Sequence, residues 1–461
     1  MNENIPRVIV AGLGGDSGKT LVVCGLLAEC KRRGLKPIPF KKGPDYIDPA
    51  WLKLSAGRTC RNLDTFMIGR EESKRIFFDN TNDGGIAIIE GNRGLFDGAD
   101  AKGMHSTAEL AKLLGVPVIL VVDGTKVTRT LAAIVLGCQK MDSSLKIGGV
   151  ILNNVSGKRH AKVAIEAIED TTGIEVIGVI KHFKERNFLP SRYLGLVTPG
   201  EHMQALKAVE SVAGIISESL NFDKFFEIAN KFEDVSLPDI GHKTRPESFV
   251  RIGYFVDRAF SFYYAENLEA LRDAGAELVR LSAIEDCKLD NIDGLYIGGG
   301  FPEINLKSLN RNNRMMQSVK KESERGMPIY AECGGLMYLS RRILWDGDDF
   351  KMCGIFPFTV EMNSKPQGHG YVEAIADVDN PFFGSGEKIR GHEFHYSGIS
   401  KYGEGVISLL NIKRGKGAIA GRDGFIYKNT FGSYLHIHAS SVRNWAPHFI
   451  SMAKEFKNRF N

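Results

Sequence analysis

The run Gly12-Leu13-Gly14-Gly15-Asp16-Ser17-Gly18-Lys19-Thr20 follows a strand-like Val8-Ile9-Val10 and opens a helical stretch that runs to about Arg33. Strand, glycine-rich turn, helix: that order constrains the fold more than any other feature. It sets a helix N-terminus at the carboxyl end of a buried strand and calls for parallel neighbours. Residues 36–40, 86–90, 116–122 and 148–153 supply them, near-continuously apolar as strands covered on both faces are. The expected fold class is α/β, with a doubly wound parallel sheet.

At 461 residues the chain exceeds one ordinary core, so two domains are expected. Around 236–247 the pattern breaks into Pro238, Asp239, Gly241 and Pro246 amid charges, and reads as a linker. A second α/β series follows: a strand over 251–256, a helix over 265–274, and strands over 294–298 and 328–331. From about residue 350 glycine-rich and aromatic runs read as more β-rich. The boundaries expected are 1–235 and 248–461.

Composition excludes several classes. A hydrophobic content of 43% with 25% charged residues is that of a globular chain. The net charge of +5 is mild and no block of five like charges occurs, so nucleic acid is not an expected partner. No apolar run approaches a membrane span, and Arg7 leads directly into a strand with no signal-like segment before it. A cytoplasmic location is expected. The seven cysteines have no metal or redox spacing, and most read as small buried hydrophobes.

The first turn of a helix binds phosphate through its backbone N–H groups, and glycines let the backbone approach closely. Gly15, Asp16, Ser17 and Gly18 form that cradle. Lys19 is expected at the β- and γ-phosphates and Thr20 on Mg²⁺. Asp45 and Glu90 stand at strand ends facing the same crevice, where a carboxylate or two can complete a magnesium site.

Far along the chain, Pro328-Ile329-Tyr330-Ala331 leads into Glu332-Cys333-Gly334-Gly335 and a helical Leu336-Met337-Tyr338. A cysteine on such an elbow is expected to expose its sulfur and to have a lowered pKa at the helix N-terminus. Gly298-Gly299-Gly300 closes a strand and can offer N–H groups to an oxyanion. In Tyr434-Leu435-His436-Ile437-His438, strand periodicity puts both histidines on one face, and one of them can be the base for Cys333. His392-Glu393-Phe394-His395 lacks the spacing of the helical zinc motif. His436 and His438 have no clear third zinc ligand.

The loop Gly12-x5-Gly18-Lys19-Thr20 resembles that of dethiobiotin synthetase-like enzymes. Gly14 stands where partition ATPases carry a second lysine. The stretches 39–49, Arg61-Asn62-Leu63-Asp64-Thr65 and Gly94-Leu95-Phe96-Asp97-Gly98 resemble the cobyrinic acid a,c-diamide synthase family. Leu295-Tyr296-Ile297-Gly298-Gly299-Gly300-Phe301-Pro302-Glu303, the cysteine elbow, 259–264 and 390–397 resemble the class I glutamine amidotransferase domain of the same family. The resemblance spans both halves in family order.

It implies a glutaminase-like second domain in which Cys333 is the nucleophile, His436 activates it, and Gly299, Gly300 and Gly334 form the oxyanion site. Most amidotransferases of this class place a glutamate two residues after the histidine; His438 stands there, so no triad acid is visible. The resemblance further implies ATP and Mg²⁺ at Lys19, Thr20, Asp45 and Glu90, with Lys41 beside the transferred phosphate. Tyr46, Asp48, Asn62, Asp64 and Asp97 fall on the substrate side. The reaction implied is ATP-dependent, glutamine-hydrolysing amidation of tetrapyrrole acetates, with only small-molecule partners; a homodimer stays open.

Lys42, Trp51-Leu52 and Asn92-Arg93 depart from the family's usual residues. Lys42 and Arg93 add positive charge suited to substrate carboxylates, which keeps sirohaem and nickel-sirohydrochlorin as alternative substrates. A nucleotide-binding regulator with a dead glutaminase domain is the alternative of another class; an intact Cys333 and His436 argue against it. Dethiobiotin-type carboxylation needs no cysteine domain.

Overall fold

The computed structural model describes residues 5–182, 189–192, 195–235, 246–401 and 406–460. The chain forms two compact units, Met1–Ile240 and Gly241–Asn461. The linker expected over 236–247 lies outside the described residues except at its last two positions.

The first unit is built on seven parallel strands: β1 (Arg7–Gly12), β2 (Pro37–Lys42), β3 (Arg61–Leu63), β4 (Ile86–Gly94), β5 (Val118–Asp123), β6 (Ile147–Val155) and β7 (Val176–Lys181). Their order is β3-β2-β4-β1-β5-β6-β7. Every residue of β1 is buried, as a central strand covered on both faces requires. The chain leaves β1 toward β2 on one side, while the β4–β5 connection crosses to the other. A crevice therefore opens at the carboxyl end of β1. Helix α1 (Lys19–Arg32) starts there, its N-cap Gly18 in the left-handed region at φ 87°. Gly25 lets helix Ala205–Ser219 approach: a Cβ there would lie 2.3 Å from Ile216 Cγ1. Helix α2 (Ile47–Ala56) begins shortly after β2. Among the described residues a small pairing of β8 (Ser191–Arg192) with β9 (Gly195–Leu196) completes the strands of this unit.

In the second unit β10 (Val250–Phe255), β11 (Ala276–Leu281), β12 (Gly294–Ile297) and β13 (Ile329–Glu332) are parallel. Then come β14 (Ser340–Trp345), β15 (Asp348–Lys351), β16 (Phe356–Met362), β17 (Gly368–Ala376), β18 (Lys388–His395) and β19 (Ser397–Lys401). The last are β20 (Ile407–Arg414), β21 (Arg422–Tyr427), β22 (Thr430–Ser433) and β23 (His436–Ile437). The main sheet runs β11-β10-β12-β13-β22-β21-β20-β17-β18-β23, and a smaller one β15-β14-β16-β19. The β-rich stretch expected from about residue 350 is present.

One side of the main sheet is held by an aromatic cluster. Tyr330 stacks on Phe431 at 5.1 Å and meets the edge of Trp445, also at 5.1 Å. Such pairs add about 0.5–1.5 kcal/mol each beyond area burial. They fix β13 against β22, the two strands that lead to Cys333 and His436.

The candidate phosphate and glutaminase sites

The phosphate loop is anchored below and open above. Leu95 N donates to Gly12 O at 2.8 Å, and Asn153 Nδ2 at the end of β6 donates to Ser17 O at 3.0 Å. A Cβ on Gly18 would lie 2.2 Å from that Asn153 amide, whereas one on Gly14 or Gly15 would meet nothing within 4 Å. Gly15 and Asp16 are exposed, while Ser17 and Lys19 are buried. The Lys19 ammonium lies back across its own loop, donating to Gly14 O at 2.7 Å and to Ser17 Oγ at 3.2 Å.

Register brings the charges together. Glu90 pairs with Val10 on one side and with Lys41 on the other. Residues in register on neighbouring parallel strands point to the same face. Thr20 Oγ1 donates to Glu90 Oε1 at 2.7 Å. Lys41 Nζ donates to Asp48 Oδ2 at 2.6 Å, Glu90 Oε1 at 3.0 Å and Gly91 O at 3.2 Å. Glu90 is fully buried, and its Oε2 has no hydrogen-bond partner.

Burial alone depresses an ammonium, but Asp48, Glu90 and Asp45 outweigh it and hold Lys41 above its ordinary range. Burial lifts Glu90 to about 7, with Lys41 opposing and Asp48 adding. Burial and Asp48 likewise raise Asp45. Burial acts on Asp48 too, but Lys41 outweighs it and that carboxyl falls below its ordinary value. Lys19 is lowered by burial and by Lys41.

The residues expected to face substrate separate into two groups. Asn62 donates to Gly43 O and Asp45 O, both at 2.8 Å; Asp64 accepts from the amides of Phe66 and Met67, and Asp97 from Gly94 N. These three shape their own loops. Asp48 belongs to the Lys41 cluster, and Tyr46 is half-buried at the start of α2. Lys42 is buried, its ammonium lowered by burial and by Lys41 and Arg93 against the opposing pull of Asp64. Arg93 is exposed at φ 51°. Trp51 is fully buried and donates through Nε1 to Val197 O at 2.9 Å. Asn153 escaped the sequence reading; its position at a parallel-strand end was the available signal.

In the second unit Cys333 turns from β13 into the short helix Gly334–Leu339 at φ 48°, ψ −99°. A non-glycine residue there is strained, as nucleophile elbows are. Its N–H donates to Ser433 O at 2.6 Å, so it is spent on the sheet. Gly334, Gly300 and Gly299 converge on the elbow. A Cβ on Gly334 would stand 3.2 Å from Gly300 N, and one on Gly299 would stand 2.5 Å from His436 Cε1. Gly300 admits no side chain, since its Cβ would lie 2.1 Å from Ala259 O.

Two expectations are corrected here. Cys333 is buried rather than exposed, and burial raises its thiol, with Glu303 adding, instead of lowering it. Desolvation of a thiolate outweighs one turn of helix dipole. The strand expected through His438 is only His436–Ile437, and the two histidines meet different carboxylates. His438 Nε2 lies 3.4 Å from Glu266 Oε2, and His436 Nδ1 lies 3.6 Å from Glu332 Oε2. His392, on β18, stacks on His436 at 4.8 Å. It is held well below the ordinary histidine range by burial, His436 and His369. Glu332, like Asn153, escaped the sequence reading.

Among the described residues no group of three histidine, cysteine or acidic side chains could hold a metal ion. No helix among them is long and apolar enough to cross a membrane. The unpartnered Glu90 Oε2 beside Thr20 is nevertheless the kind of oxygen a magnesium ion shared with nucleotide phosphates takes.

Residues 8–196 match the CobQ/CobB/MinD/ParA nucleotide binding domain, and residues 251–444 match the CobB/CobQ-like glutamine amidotransferase domain. The chain is 43% identical over 456 residues to the cobyrinate a,c-diamide synthase of Magnetococcus marinus, covering 97% of each chain. It is 38% identical to those of Caldanaerobacter subterraneus, over 97% of this chain and 98% of the relative, and Archaeoglobus fulgidus, over 98% and 99%.

Proposed function

We propose that this chain, which belongs to the cobyrinate a,c-diamide synthase family, uses ATP and glutamine to convert peripheral acetates of a tetrapyrrole, cobyrinate first among them, into amides. One observation carries the reading: a single chain assembles both a phosphate loop with Lys19, Thr20 and Glu90 and a cysteine elbow with His436. We assign the first role to residues 1–235, the linker to 236–247 and the second role to 248–461.

In the second unit Cys333 Sγ attacks the side-chain amide carbon of glutamine as its proton passes to His436. The N–H groups of Gly300 and Gly334, with Gly299 beside them, receive the oxyanion. Ammonia leaves with the proton from His436, and water hydrolyses the γ-glutamyl thioester to glutamate. In the first unit the loop amides and Lys19 hold the ATP phosphates, and a substrate carboxylate attacks the γ-phosphorus to release ADP. Ammonia then displaces phosphate from the acyl phosphate, leaving the amide. Lys41 is fixed beside this point by Asp48 and Glu90. Thr20 and Glu90, with Asp45 close by, would hold a magnesium ion, whose charge would offset that of the phosphates. The seven cysteines, which have no metal or redox spacing, fit a reducing cytoplasm.

The exposed Arg93 keeps sirohaem and nickel-sirohydrochlorin as second candidates, since a guanidinium suits a carboxylate-rich ring. The test offers each tetrapyrrole with ATP and glutamine and weighs the products. Amidated cobyrinate supports the reading; amidation of another ring alone moves the chain to that substrate. Absence of glutamate release from wild type would favour a nucleotide-binding regulator.

A further inference from the structure

We propose that Glu332 is the carboxylate that positions His436, replacing the acid that most amidotransferases of this class carry two residues after the histidine. The inference rests on the glutaminase reading above. The usual position is held by His438, whose Nε2 lies 3.4 Å from Glu266 and whose ring packs against Tyr264 at 5.0 Å. His436 instead turns Nδ1 toward Glu332 Oε2 at 3.6 Å. Gly299, beside the candidate oxyanion donors, lies against the Cε1 corner of the same ring, where a Cβ would stand 2.5 Å from Cε1 and 3.3 Å from Nε2.

The geometry is held from several elements. Glu332 is fully buried and ends β13 one residue before the nucleophile. Its Oε1 accepts from Ile437 N at 3.2 Å, the residue next to His436, and its Oε2 accepts from the Tyr296 hydroxyl at 3.1 Å. Tyr296 comes from β12, and Asn267 Nδ2 donates to its hydroxyl at 3.2 Å. The carboxylate therefore cannot swing away. The 3.6 Å separation is longer than a hydrogen bond, and catalytic contacts of this kind tighten when substrate arrives. His392 covers one face of the His436 ring, and burial favours its neutral form.

A carboxylate at Nδ1 selects the tautomer that leaves Nε2 to take the proton of Cys333, and it stabilises the imidazolium that results. Sequence offers no hint of this, because Glu332 and His436 lie a hundred residues apart and meet only through the parallel pairing of Glu332 with Ser433. One structural alternative exists: Glu332 could serve only to tie β13 to the His436 strand. Glutamine separates the two roles. Its side-chain oxygen can still accept from Ile437 N, and its amide can donate to the Tyr296 hydroxyl, but it carries no charge.

The experiment uses the full chain and measures glutamate release, glutamine-driven amidation and ammonium-driven amidation. Glu332→Gln is expected to lower glutamine-dependent kcat by about 100-fold or more while ammonium-driven amidation stays within about twofold. The acidic limb of the kcat/KM profile for glutamine should move to lower pH, because loss of a nearby negative charge eases proton release from the reacting pair. Glu332→Asp keeps the charge at longer reach, so kcat falls while the limb stays; it carries the test if the glutamine variant fails to fold. Wild-type kcat and an unmoved limb in Glu332→Gln overturn the proposal, as does a limb that moves with Glu266→Gln instead. Those outcomes leave the glutaminase reading standing. Wild type that releases no glutamate ends both.

Discussion

At the phosphate loop the chain turns through Asp16 at φ 53° and Gly18 at φ 87° and opens onto empty space above Gly14 and Gly15. At the elbow it turns through Cys333 at φ 48° and closes, with the thiol buried. Both turns lie where a parallel strand hands over to a helix. The first leaves its charges incomplete: two lysines face three carboxylates, Lys19 donates to its own loop, and one Glu90 oxygen has no partner. The second has its neighbours packed around it, with Gly299 against His436 and Gly334 beside Gly300. The first turn stays electrostatically unfinished, whereas the second is packed in advance.

That contrast can be broken most directly by exchanging nitrogen donors. Cys333→Ser should reduce glutamine-driven amidation by about 10³-fold or more and leave ammonium-driven amidation intact, whereas Lys19→Ala should depress both to a similar extent. Product mass spectra with each donor decide it. Equal loss with both donors in Cys333→Ser would mean that the two sites are not separable functions.

A smaller effect tests the unfinished charges. In the folded chain Glu90 titrates near 7 instead of its ordinary 4.5. The folded state thus binds this proton more tightly, and that contribution to stability is full below 4.5 and lost as pH rises through about 7. The expected loss is up to about 3 kcal/mol. Glu90→Gln removes this titration, so denaturant unfolding across that range should show the variant gaining on wild type as pH rises. A constant difference would show that Glu90 is already charged at low pH.

The smallest effect concerns the substrate rim. Arg93→Met should raise the tetrapyrrole KM by about tenfold with little change in kcat. Lys42→Val should affect stability more than KM, because Lys42 is buried. An unchanged KM in Arg93→Met removes Arg93 from the substrate contacts.

Sequence made both turns legible because each needs a local signal: glycines that let backbone approach a ligand or its neighbours, between a strand run and a helix. Register was less legible. Glu90 could be read as an acid at a strand end, but its pairing with Lys41 follows from β2 lying beside β4, an order set by the helices that cover the sheet. Asn62, Asp64 and Asp97 read as substrate-facing because their motifs resemble the family's; in the fold their polar atoms hold loops. Periodicity also overran the strand, which ends at Ile437 before His438.

The hydrogen bond from Cys333 N to Ser433 O has one more consequence. A backbone proton held between central strands exchanges with solvent only when those strands separate, while protons on an open loop exchange through small local fluctuations. The Cys333 amide therefore keeps time for the whole second unit. In deuterated water it should be among the last to be replaced, long after the amides of Gly14 and Gly15 have equilibrated.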